Sequence, residues 1–134
     1  MGNLSFIFGT VLKGLNTMPK FYHYPNCSIC RKAQKWLEGH DQKLEIVDIT
    51  LLPPSTKELK KALTLSGRKI TDLLNTSGVQ YRQLNLKAKI KNMTDDEILH
   101  LLSKNGKLIK RPLVLDAKKA TVGFKEDEFQ KTWK

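Results

Sequence analysis

Apolar positions recur along this chain with two spacings, and the change from one to the other marks its elements. Phe21-Tyr22-His23-Tyr24 is a short aromatic run that passes into Pro25-Asn26, which predicts a strand and then a turn leading into a helix. Across residues 28–40, Ile29, Ala33, Trp36 and Leu37 fall at i, i+4, i+7 and i+8, so they predict one buried helical face with Arg31, Lys32, Lys35 and Glu38 turned away. Residues 44–49, with Ile46, Val47 and Ile49, predict a second strand, and Pro53-Pro54-Ser55 ends the connection on a helix N-cap. Helical spacing returns over residues 55–65, over a short stretch at 70–74 and, after the break "NTSG" at 75–78, over 81–90. Thr94, followed by Asp95, Asp96 and Glu97, caps another helix through Leu102 with acids at the positive end of its dipole, and Asn105-Gly106 closes it. The spacing switches back at Leu113-Val114-Leu115 and Ala120-Thr121-Val122, two short runs around residues 116–119 that predict a hairpin. Residues 126–133, with Phe129 and Trp133 on one face, predict a terminal helix.

These elements predict an α/β chain: a thioredoxin-like sandwich with a helical insertion between the N-terminal strand-helix-strand unit and the C-terminal hairpin-helix. The 134 residues and the absence of repeats or low-complexity tracts predict one domain. Met18-Pro19-Lys20, directly before the first strand, reads as its start, so residues 18–134 form the expected domain and residues 1–17 an expected leader outside the fold. The leader's apolar run, Leu4 to Leu12, is nine residues long, against the roughly 20 that span a bilayer. It has no basic residue before it and no small-x-small cleavage site after it, so neither a membrane span nor a signal peptide is expected.

Charge narrows the partners. Lys and Arg number 24 against 13 Asp and Glu, a formal charge of +11 that attracts anionic partners. Only Arg31, Arg68, Arg82 and Arg111 are arginines, so the other 20 cations are lysines, which lack the planar fork that reads bases and oxyanions. Clusters such as Lys57, Lys60 and Lys61, or Lys87, Lys89 and Lys91, alternate with apolar residues as on solvated helix faces. A diffuse positive field is expected, without direct nucleic-acid binding.

Cys27 and Cys30 are the only cysteines, in "YPNCSICRKAQKWL". A secreted disulfide framework uses more cysteines and wider spacing, so a cytoplasmic chain with a local thiol pair is expected. Three readings of the pair are open: a redox centre, half of a metal site, or two inert buried thiols. At a helix N-terminus the unpaired N–H groups and the dipole stabilise a thiolate, Arg31 at i+4 adds a cation, and Cys30 one turn on can resolve a mixed disulfide formed at Cys27. A zinc site takes about four ligands. The pair supplies two, and of His23, His40 and His100 only His23 is nearby in sequence, so no metal is expected and the redox reading leads.

"YPNCSICRKAQKWLE" resembles the first turn and helix of the arsenate reductase and Spx superfamily, "LIKRPLVLD" its Arg-Pro segment before the hairpin, and "VGFKEDEF" the stretch near the end of the Spx branch. The resemblance runs in order from about Met18 to Trp133. It implies a thioredoxin-like fold, a cis Pro112 facing the thiols, and Arg111 as the group that stabilises a thiolate or an anion; an ordinary strand-leading proline and a structural ion pair are the alternatives. It also implies no bound cofactor, with reducing equivalents from glutathione, glutaredoxin or thioredoxin. Arsenate reductases of this kind hold their oxyanion with three arginines. Arg111 matches one, Asn75 stands where another would lie, and there is none around residues 122–124. The expectation is therefore a thiol-disulfide oxidoreductase with catalytic Cys27, Cys30 and Arg111, supported by Arg31 and Pro112. An Spx-like redox-sensing regulator that binds RNA polymerase is the alternative, set second because an extended basic tail does not follow the last helix. A genuine arsenate reductase is the further alternative.

Overall fold

Strand β1 (Lys20–His23) places Phe21 and Tyr22 side by side, and the alternation of a strand sends them to opposite faces of the sheet. The structure, a computed structural model, describes residues 18–134. The expected leader lies outside the described residues.

Helix α1 (Ser28–Gly39) leads from β1 to β2 (Glu45–Asp48), which pairs with it in parallel. The hairpin strands β3 (Leu113–Leu115) and β4 (Ala120–Val122) complete a four-stranded sheet of order β2-β1-β3-β4, in which β3 runs antiparallel to both β1 and β4. The hairpin turn is tied by Asp116, whose carboxylate accepts the N–H groups of Lys118 and Lys119 at 2.7 Å each. Helix α6 (Glu126–Trp133) ends the chain.

Between β2 and β3 lie α2 (Thr56–Ser66), α3 (Val79–Gln83), α4 (Leu86–Lys89) and α5 (Asp95–Lys104), with short 3-10 turns among them. Two of these helices begin on capping boxes, Ser55 with Glu58 and Thr94 with Glu97. The helix expected over residues 81–90 is instead two short ones, because Asn85 takes a left-handed conformation, φ 52°, between them. After α5 the chain presses so closely on the end of β2 that a Cβ at Gly106 would overlap the Ile49 carbonyl. Glycine is required there.

The sheet carries a core on each face. Phe21 and Val114 pack with Cys30, Ala33 and Leu37 of α1 and with Phe129 and Trp133 of α6. Tyr22, Leu113 and Leu115 pack on the other side with Leu59 and Ala62 of α2 and Leu99 and Leu102 of α5. Ile29, expected on the buried face of α1, is 45% exposed. The stripe starts one residue later, with Cys30 in the core position, since a buried cysteine behaves as a small apolar side chain. On edge strand β2, Ile46 is likewise exposed while Ile49 beyond it is buried. Glu58 joins the layers: its carboxylate accepts Lys20 Nζ and the Tyr22 hydroxyl, each at 2.9 Å, and so ties α2 to β1.

Candidate active site

Pro25 and Asn26 turn the chain out of β1, and Cys27 becomes the N-cap of α1 in an extended conformation. Its Sγ accepts the backbone N–H of Cys30 at 3.2 Å, so the sulfur occupies the place an N-cap oxygen usually takes. Cys27 is half-buried, and Cys30, one turn further, is 1% exposed; both are free thiols. Among the described residues no third histidine, cysteine or carboxylate forms a metal-binding cluster with them.

Arg111 enters from the segment before β3. Its guanidinium lies 4.8 Å from the centre of the Tyr24 ring, and its positive charge acts on the Cys27 thiol. The Arg111-Pro112 peptide is cis, Pro112 is buried, and its carbonyl accepts the N–H of Gly123 at 2.9 Å, which fixes Arg111 at the end of the hairpin.

The two sulfurs are driven apart electrostatically. Burial alone would push the Cys27 thiol up, but hydrogen bonds from the Cys30 thiol and N–H and from Arg111, with the Arg111 charge, more than offset it and hold it below the ordinary cysteine value. Burial, together with the hydrogen bond to Cys27 and its charge, pushes the Cys30 thiol up to about 12 against smaller opposing effects of the Tyr24 main chain and the Arg111 charge. The two thiols are thus shifted in opposite directions, Cys27 toward ionisation and Cys30 away from it.

Beside them opens a cleft of about 340 Å³ lined by Tyr24, Asn75, Gly78, Val79, Gln80, Gln83, Lys107 and Arg111. The structure thus brings Cys27 and Cys30 together with Arg111 nearby, and Pro112 follows Arg111 through a cis peptide. Arg31 is turned away: it is exposed and donates to the Pro25 carbonyl at 3.2 Å, so it braces the turn and Arg111 supplies the cation. Asn75 does stand in the cleft, its amide donating to the Lys107 carbonyl at 3.4 Å. Tyr24, Gln80, Gln83 and Lys107 were not legible as site residues, because three come from the irregular middle of the chain, where no spacing pattern marks a cleft. Tyr24 had one signal, its place next to the proline that precedes Cys27.

A four-stranded mixed sheet with a cysteine at the N-cap of its first helix and a cis-proline before its hairpin defines a thioredoxin-like thiol protein. The sequence matches the ArsC family over residues 22–132, and the chain belongs to that family. It is 51% identical over 113 residues to the uncharacterized protein YusI of Bacillus subtilis, covering 84% of this chain and 96% of YusI. The regulatory protein MgsR of Bacillus subtilis is 36% identical, with 83% of this chain and 86% of MgsR covered. The global transcriptional regulator Spx of Streptococcus pneumoniae is 34% identical, with 79% and 78% covered. Among solved structures, SACOL0876 of Staphylococcus aureus superposes with a TM-score of 0.78 at 45% identity, covering 87% of this chain and 98% of that one. No helix among the described residues is long and apolar enough to cross a membrane.

Proposed function

We propose that this protein is a thiol-disulfide oxidoreductase in which Cys27 attacks a disulfide and Cys30 resolves the product. The observation that carries the reading is the division between the two sulfurs: a half-buried Cys27 at the helix N-cap, shifted toward ionisation, and a buried Cys30 one turn on, shifted away from it.

In the first half-reaction Cys27 Sγ bonds to one sulfur of the substrate, the substrate S–S bond breaks, and the departing thiolate takes a proton from water. The Cys27 charge is then consumed, and with it one of the influences that keep Cys30 protonated. Cys30 gives its proton to solvent and attacks Cys27 Sγ; the second substrate thiolate leaves, and two electrons have passed to the substrate. Thiols of glutathione, glutaredoxin or thioredoxin return them, so no bound cofactor is involved and the protein works in the reducing cytoplasm.

The test is reduction of hydroxyethyl disulfide by the full chain with glutathione and with a thioredoxin system. Cys27→Ser abolishes turnover, and Cys30→Ser accumulates a mixed disulfide at Cys27 visible by mass spectrometry. Turnover that survives Cys27→Ser removes the reading.

The likeness to Spx and MgsR, both named as regulators, favours a second reading in which the same thiol pair is a sensor and the partner is RNA polymerase. Pulldown with RNA polymerase in the oxidised and reduced forms separates the two. Retention in neither form eliminates the regulator.

A further inference from the structure

Three stretches of chain supply the thiol pair and the cleft beside it. Residues 18–37 bring Tyr24 and both cysteines, residues 73–93 bring Asn75 and Gln80, and residues 104–115 bring Lys107 and Arg111. None of the three contains an aspartate or a glutamate, and each contains four cations. The remaining 12 of the 24 cations share the rest of the chain with all 13 acids, and are thus neutralised by composition. Of the cations in the three stretches, Lys107 and Arg111 line the cleft itself, and no carboxylate is among its lining residues.

The ion pairs sharpen the asymmetry. Those among the described residues are Lys20–Glu58, Lys60–Asp96 and Arg68–Glu128, so of the twelve cations in the three stretches Lys20 alone has a carboxylate partner there. The cleft also holds a polar group without a partner: Gln80 Oε1 is buried and accepts no hydrogen bond. Val79 in the cleft is 58% exposed and Ile29, between the cysteines in sequence, 45% exposed. An exposed apolar side chain, an amide oxygen without a donor, and the cations Lys107 and Arg111 on a lining that has no carboxylate together describe a receptor for extended polypeptide with carboxylate side chains.

We propose that the disulfide reduced at Cys27 is carried by a protein with acidic residues flanking its cysteine, and that the cleft beside Arg111 receives those residues. The proposal rests on the oxidoreductase reading and narrows its substrate class. A nucleic acid answers the charge but offers no sulfur to Cys27. The ring that lines the cleft, Tyr24, has one face taken by Arg111.

The test compares two disulfide-linked peptides of equal length, one with Asp and Glu around the cysteine and one with Lys and Arg, reacted with the reduced full chain across a salt series. Hydroxyethyl disulfide serves as the uncharged reference. At 20 mM NaCl the acidic peptide exchanges at least about tenfold faster than the basic one. The ratio falls toward one by 1 M, where screening acts over about 3 Å. Arg82→Glu combined with Lys107→Glu cuts the ratio severalfold. A ratio near one at low salt, or one that salt leaves unchanged, overturns the proposal while hydroxyethyl disulfide reduction keeps the reading beneath it. If hydroxyethyl disulfide is not reduced either, the oxidoreductase reading itself falls. Duplex DNA that blocks acidic-peptide exchange at 150 mM salt more strongly than a cysteine-free acidic peptide overturns the proposal in favour of a nucleic-acid surface.

Discussion

Arg111 lies over the Tyr24 ring and its charge favours ionisation of Cys27, whereas Arg31 reaches back to Pro25. The sign of its effect follows from charge: a fixed cation favours the thiolate over the thiol, so it lowers the pH at which Cys27 ionises. Alkylation by iodoacetamide, followed by mass spectrometry across pH, labels Cys27 first, with a midpoint below the free cysteine value of about 8.5. Arg111→Met moves that midpoint upward and slows exchange at neutral pH, with the fold intact by circular dichroism. Because the folded value is depressed, ionised Cys27 adds to stability above the unfolded value, and that contribution is lost as pH falls through the folded one. An unmoved midpoint in Arg111→Met assigns the depression to the helix N-terminus and the Cys30 contacts alone.

At the scale of elements, α2 is joined to β1 through one carboxylate. Glu58 closes the capping box with Ser55, accepts the hydroxyl of buried Tyr22 and pairs with Lys20. Burial opposes its ionisation, but the hydrogen bonds from Lys20, Tyr22 and Ser55 outweigh that and hold it below the usual carboxylate range. The Lys20 pair is part-exposed and contributes little, about 0–1 kcal/mol. The cap and the Tyr22 bond decide the outcome, so Glu58→Ala costs about 1–3 kcal/mol in urea denaturation at pH 7. A depressed carboxylate stabilises above its unfolded value, about 4.3, and ceases to as pH falls through its folded value, so the difference between wild type and Glu58→Ala shrinks in acid. Lys20 is raised through its hydrogen bond to Glu58, which gives the opposite limb: its contribution is present below its unfolded value and disappears as pH rises through the folded one. A penalty of the same size at pH 3 and pH 7 assigns it to packing. The cap was legible from Pro53-Pro54-Ser55, whereas the contacts of Glu58 with Lys20 and Tyr22, 38 and 36 residues away, depend on the sheet register.

Across the whole molecule, local signals carried most of the fold and long-range ones carried the site. Strand alternation, capping residues and the hairpin runs were each contained in a few neighbouring residues, and they predicted the element order from β1 to α6 with one error, the helix broken at Asn85. Cys27, Cys30 and Arg111 stood in motifs. The cleft did not, because Asn75 and Gln80 reach Tyr24 and Lys107 only after the insertion folds over the sheet. The same distinction between field and fit governs arsenate. A net charge of +11 over the chain attracts a dianion, but a general field neither orients it nor holds it against water. Holding requires preorganised forks, and the resemblance places arginines at three positions of which this chain fills one, Arg111; the cleft has the neutral amide of Asn75 at another. Each absent charge-assisted bond is worth about 1.5–3 kcal/mol, so two absent ones remove about 3–6 kcal/mol, or roughly two to four decades of affinity. Lys107, a flexible point charge in the same cleft, recovers only part of that. Coupled NADPH consumption is therefore expected to be weak or undetectable with arsenate, while the oxidised protein is still reduced by a thioredoxin or glutaredoxin system. Asn75→Arg is expected to increase arsenate-dependent turnover. Robust arsenate turnover by the wild type that disappears in Cys27→Ser would mean that the lysine field alone holds the oxyanion, and that the missing forks matter less than their geometry implies.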